Sequence, residues 1–139
     1  MARSTARAAA MQLIYARMLG GEGDERTLRD LVAPTPELDD DDRRYIEDVT
    51  EGTWGARDEL DARIASFSRD WPISRMARVD LAILRLSAYE MSNRADVPAA
   101  VAINEAVELT RTFSTAESGG FVNGILGSMY RDRSTGDAR

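Results

Sequence analysis

Residues 74–94, SRMARVDLAILRLSAYEMSNR, decide the fold. Met76, Val79, Ile83 and Leu86 form one apolar strip at helical spacing, and Ala77, Leu81, Leu84, Ala88 and Met91 form another. A helix that is apolar on two sides is buried on two sides, so this segment is expected to run through the middle of the molecule. Its remaining polarity falls on two narrow stripes, Arg78 with Arg85 and Asp80 with Ser87.

Helical spacing continues outward in both directions. Upstream, Trp71-Pro72 closes a segment in which Tyr45, Ile46, Val49, Thr53, Ala56, Leu60, Ile64 and Phe67 share one face, read as a single long helix after Asp39 to Asp42. Gly52 and Gly55 lie inside it, each costing roughly 1 kcal/mol relative to alanine, which points to close packing of a neighbouring helix. Further upstream, Pro34-Thr35-Pro36 reads as a rigid break, Thr27 to Val32 as a short helix, and Gly20 to Arg26 as a loop. A first helix, capped by Ser4 or Thr5, runs to about Leu19, where Gly20-Gly21 stops it.

Downstream, Asp96-Val97-Pro98 opens a helix with proline near its first turn, where a missing N–H matters little. Ala102, Ala106, Leu109 and Phe113 are expected to face the core, with Asn104, Glu108 and Arg111 opposite. After a loop from Ser114 to Gly120, a last helix buries Val122, Ile125, Leu126 and Met129. No window alternates as a strand would. The expectation is an all-α protein, one compact domain over residues 1–130 followed by a polar, flexible tail over 131–139.

Composition removes most catalytic chemistry. Among 139 residues there is no cysteine, no histidine and no lysine, the 18 basic residues all being arginine. Thiol nucleophiles, disulfides, soft-metal sites, imidazole acid–base catalysis and Schiff bases are therefore excluded. A carboxylate enzyme built on Asp39 to Asp42, or a Mg²⁺ or Ca²⁺ site there, is the remaining option. Against it, the spaced ligands and glycine of a calcium loop are missing, and acids at a helix start complement its dipole. No enzyme and no cofactor are expected. No apolar run spans a bilayer and no signal peptide opens the chain, so the expected location is the cytoplasm, away from membranes.

The net charge of −6 opposes nucleic acid on a global count, but the distribution is uneven. Residues 1–19 hold Arg3, Arg7 and Arg17 without an acid, while Glu22 to Asp70 holds sixteen acids against seven arginines. A local basic patch on an acidic body can still dock a short RNA.

Four ordered segments carry a family resemblance: Trp71 to Arg75 followed by Val79 to Glu90, then Pro98, then Val101 to Leu109, then Phe121-Val122-Asn123-Gly124-Ile125-Leu126. Ala6-Arg7 through Gln12-Leu13-Ile14-Tyr15 adds a first helix. Together they resemble the NusB family of transcription antitermination factors, leaving only the loop from Gly20 to Leu38 and the tail unmatched. The resemblance implies two small helical bundles packed into one body. It also implies binding of boxA-type single-stranded RNA with a small-subunit ribosomal protein (NusE), presentation of both to the RNA polymerase elongation complex, and support of ribosomal RNA transcription.

Residue by residue, the resemblance places Arg3 and Arg7 on RNA phosphates, four apart on one helix face. Ser4 and Thr5 stand where the family pattern has further arginines, which implies weaker RNA binding alone or greater reliance on the partner. Phe121 is placed as a platform for a base, and Tyr15 and Asp80 face the ribosomal protein, Asp80 against a partner arginine. Plainer readings stand beside these. Arg3 and Arg7 also suit a solvated helix start, Phe121 a core position, and Tyr15 simple packing. At the level of function, the alternative is a protein-interaction adaptor, or a homodimer that masks the basic end, with little RNA affinity of its own.

Overall fold

In the computed structural model, which describes residues 2–20, 38–68 and 70–137, both apolar strips of the central segment are covered apart from the exposed Ala77 at its start. The elements are α1 (Ala2–Met18), α2 (Asp40–Gly55), α3 (Arg57–Phe67), a 3₁₀ turn (Ile73–Arg75), α4 (Arg78–Asn93), α5 (Ala99–Phe113) and α6 (Ala116–Asp137). No strand occurs among the described residues. From Asp80 to Met91, every residue of α4 except Tyr89 is buried. On one side α4 packs against α1 and α2, and on the other against α5, α6 and α3, giving two small bundles that share a central helix. Ile83, Leu84 and Leu86 are fully buried there, each stabilising the fold by about 1.5–3 kcal/mol through removal of apolar surface from water.

Several boundaries differ from the sequence expectation, each for a local reason. The single helix over Asp39 to Phe67 is two helices, because Ala56 leaves helical geometry (φ −99°, ψ 10°) directly after Gly55. Arg57 holds the break by donating from Nη1 to the Trp54 carbonyl at 2.7 Å while its guanidinium lies over the Trp54 ring. The close approach expected at the two glycines is real only at Gly52, where a Cβ would overlap the Tyr89 hydroxyl; Gly55 faces open space.

The central helix starts at Arg78 and not at Ser74, since Met76 and Ala77 are extended. The last helix begins at Ala116, inside the expected loop, because the Ser118 backbone N–H donates to Thr115 Oγ1 at 3.1 Å as at a helix N-cap. Gly119 is helical and lies beside Thr110. The same helix runs on to Asp137, past the expected boundary near Arg131. Ser4 and Thr5 lie within α1 and do not cap it. Gly20 closes its end at φ +87°, a left-handed conformation that favours glycine. Phe113, placed in the core by spacing, is 36% exposed. The loop beyond Gly20, the short helix over Thr27 to Val32 and the Pro34-Thr35-Pro36 break lie outside the described residues.

Candidate nucleic-acid interface

The arginines of α1 are engaged by acids of other helices. Arg7 is 2% exposed, and its partner Glu90 on α4 is completely buried. Arg7 Nε and Nη2 donate to the two Glu90 oxygens at 2.9 and 3.0 Å, and the Tyr45 hydroxyl on α2 donates to Glu90 Oε2 at 2.9 Å. Arg7 Nη1 also lies 3.4 Å from Glu105 Oε1 on α5, which accepts a hydrogen bond from Ser4 Oγ at 2.7 Å. Burial would lower the Arg7 pKa, but the hydrogen bonds and charge of Glu90 outweigh it, so the guanidinium is held above its ordinary value. Burial, then the Glu90 charge, pushes the Tyr45 hydroxyl up. Arg7 is therefore an interior ion pair joining α1, α2, α4 and α5, and its assignment to RNA phosphate is corrected: the fork has no surface left to offer.

Arg3 is half-exposed. Its Nη2 donates to Asp41 Oδ2 at 3.0 Å and its Nε to Asp42 Oδ1 at 3.4 Å, and its guanidinium stacks 4.3 Å from the Tyr45 ring centroid. The acid run thus has a structural role. Asp39 caps α2 by accepting from the Asp42 N–H at 2.9 Å, and Asp42 Oδ2 accepts from the Asp39 N–H at 3.3 Å, a reciprocal capping box. Chiefly the Asp42 N–H holds the Asp39 carboxyl below the usual range. Among the described residues, no group of three or more acids is placed to hold a metal ion.

Asp80 is also engaged within the chain. It is 6% exposed, with Oδ1 accepting from Ser114 Oγ and Oδ2 from Ser118 Oγ, both at 2.7 Å. The hydrogen-bond partners seen here lie within the chain, in the α5–α6 turn, and not on a second molecule. Tyr15 is half-buried and lines a recess of 490 Å³ with Met11, Ala77, Val79 and Phe113, beside Arg78. That recess leaves it open to a second molecule.

Phe121 is half-buried on the first turns of α6 and forms one wall of an open groove of 800 Å³. Phe67, Trp71 and Met76 add apolar surface to its lining, which also includes Asp80 and Ser118. Trp71 is 45% exposed and is fixed by its Nε1 donating to the Arg75 carbonyl at 3.1 Å. Arg75 lines this groove, Arg78 lines the Tyr15 recess, and Ala77 borders both. The guanidinium groups of Arg75 and Arg78 are exposed and make no ion pair or hydrogen bond with other described residues. Asp70 and Glu117 also line the groove and set acidic limits to it.

Aromatic faces interleaved with uncommitted arginines are what single-stranded nucleic acid requires: bases stack on the rings, and cations track the backbone. Of the residues singled out from sequence, the structure keeps Arg3, Phe121 and Tyr15 at the surface but brings no two of them into one groove. It adds Trp71, Arg75 and Arg78. Trp71 was read as closing a segment with Pro72 and as part of the family resemblance, and the exposure of its ring is not something helical spacing reports.

Residues 4–131 match the NusB family. The transcription antitermination protein NusB of Acetivibrio thermocellus is 44% identical over 131 residues, covering 94% of this chain and 90% of that protein. The solved structure of T. maritima NusB superposes with a TM-score of 0.83 at 26% identity, covering 94% of this chain and 92% of that one. A structure of the antitermination factors NusB and NusE in complex with double-stranded RNA shares the fold, with a TM-score of 0.78 at 21% identity over 94% of this chain and 96% of that one. With the family match spanning nearly the whole chain and the fold in agreement, this chain belongs to the NusB family.

Proposed function

We propose that this chain is an RNA-binding transcription antitermination factor. In this reading it holds boxA-type single-stranded RNA together with the small-subunit ribosomal protein NusE, and presents both to the RNA polymerase elongation complex to promote ribosomal RNA transcription. It acts by binding and not by catalysis, and works in the cytoplasm. The observation that carries the reading is a groove lined by Phe121, Trp71 and an uncommitted Arg75, on a chain of this family. The fold is also that of a protein solved with NusE and RNA. None of the described helices is long and apolar enough to cross a membrane.

RNA affinity in the absence of NusE is modest, because Arg7 is interior and Arg3 is shared with Asp41 and Asp42. That same observation favours the second reading, a protein-interaction adaptor or homodimer with little RNA affinity of its own. Electrophoretic retardation of boxA-type RNA by the full chain, alone and with NusE, separates the two across several salt concentrations. The first reading predicts weak retardation alone, tighter with NusE, and a shallow dependence on salt, with log affinity falling by about 0.7 per contacted phosphate for single strands. NusE binding without RNA retardation in either condition would support the adaptor instead.

A further inference from the structure

We infer that Asp80 is a positioning residue for RNA, a buried clasp that sets the first turn of α6 and with it Phe121. The inference rests on the proposed RNA reading. Asp80 is in the first turn of α4, where a carboxylate is favoured by the helix dipole. Both of its oxygens nevertheless reach across to the α5–α6 turn, to Ser114 Oγ and Ser118 Oγ. Ser118 Oγ lies 3.0 Å from Thr115 Oγ1 and 2.9 Å from Ser114 Oγ, and the Ser118 N–H donates to Thr115 Oγ1.

A hydroxyl has one proton, and that settles the network. Ser114 and Ser118 each donate to Asp80. Thr115 donates its proton to Ser118 Oγ, and its own oxygen accepts the Ser118 N–H. Every proton is used once, and both carboxylate oxygens are needed. Phe121 follows Ser118 by three residues on the same helix, so it shares that face, and Asp80, Ser118 and Phe121 all line the groove that Trp71 and Arg75 also line. Asp80 thereby ties the wall bearing Phe121 to the start of α4, two residues from Arg78, and fixes the ring where a base would stack.

Asp80→Asn keeps the side-chain volume but removes the charge and one acceptor oxygen, so one serine can no longer donate to residue 80 and must instead accept from its amide N–H, which reverses that hydrogen bond and forces the serine proton elsewhere. Two measurements on the full chain test the inference. In anisotropy titrations with a fluorescein-labelled single-stranded boxA-type RNA, Asp80→Asn should weaken binding roughly tenfold, within the coupling range of directly contacting groups. In a Phe121→Ala background the same substitution should change affinity by less than about twofold, since the ring it positions is gone. Hydrogen exchange should accelerate in Asp80→Asn at residues 116–121 while α1 and α5 keep wild-type protection. Ser118→Ala, which leaves the carboxylate in place, should reproduce both effects in weaker form.

Unchanged affinity, or the same loss with and without Phe121, would overturn the positioning role, and unchanged exchange at residues 116–121 would overturn the clasp. If the wild type retains no RNA, the functional reading fails and takes the RNA half of this inference with it; exchange alone then decides the clasp.

Discussion

Arg7→Met should damage stability far more than a surface arginine would, and RNA binding far less. The substitution leaves Glu90 fully buried with the Tyr45 hydroxyl as its remaining hydrogen-bond donor, the Arg7 fork having been removed. Removing one partner of a buried ion pair costs about 3–5 kcal/mol, because the other charge stays desolvated. Tyr45 offsets part of this, which favours the lower end. At about 2–4 °C per kcal/mol for a chain of this size, the melting temperature should fall by roughly 10 °C. Arg3→Ala removes a half-exposed pair worth about 0–1 kcal/mol, so its melt should shift by only a few degrees. Adding Glu90→Leu to Arg7→Met should recover much of the loss, since a well-packed apolar replacement of a buried pair is often neutral. The assays are thermal and urea unfolding followed by circular dichroism, with RNA titration at a temperature where the variant is folded. A variant with wild-type stability and lost RNA affinity would refute the interior assignment and return Arg7 to the phosphate backbone.

Three further outcomes follow from the same packing and charge arrangement. Gly55→Ala should stabilise the protein by a few tenths to about 1 kcal/mol, as its Cβ meets nothing, whereas Gly52→Ala should lose about 1–3 kcal/mol by displacing Tyr89; chemical unfolding of both variants checks the sign. Stability should be flat between about pH 6 and 8, since there is no histidine, and should fall below about pH 4. There Glu51 and Asp96, depressed by hydrogen bonds from Arg17 and Arg94, contribute stability above their unfolded values and lose it as pH drops through the folded ones. At the alkaline end Tyr45, raised by burial, contributes below about pH 10 and loses its contribution as pH rises above that; melts from pH 3 to 11 trace both limbs. Asp41→Asn should remove one of the two acids that share Arg3, leaving Asp42, and tighten RNA binding two- to fivefold at low salt, an effect of about 0.5–1 kcal/mol that vanishes at high salt; a salt-independent change would mean a different cause.

The helices were legible where burial leaves a periodic trace. Two apolar strips on residues 74–94 gave away a helix packed on both sides, and Ala102, Ala106, Leu109, Val122 and Met129 reached the core as their spacing requires. The break at Ala56 was not legible, because alanine is a strong helix former and nothing in its neighbours forbids another turn. At the site, Arg3 and Arg7 read alike because helical spacing reports a shared face but not what lies opposite it. Glu90, which claims Arg7, is 83 residues away in sequence. The trace existed in Glu90 itself, a carboxylate within a helix buried on two sides, which requires a cation or donors. The intrachain bonds of Asp80 were hidden for the same reason, its two serines lying 34 and 38 residues downstream in a stretch read as a loop. Exposure of Trp71, Arg75 and Arg78 depends on a 3₁₀ turn and two extended residues that periodicity does not describe.

The location of the RNA surface can be measured directly by photo-crosslinking boxA-type RNA carrying 4-thiouridine to the full chain in the presence of NusE, and mapping the attached peptides. Crosslinks should fall on the peptides containing Trp71 and Phe121, which line one groove, and Phe121→Ala should remove those on its own peptide. Crosslinks confined to the exposed Val101 and Tyr130, neither of which lines the groove, or persisting unchanged in Phe121→Ala, would contradict the assignment of RNA to this groove.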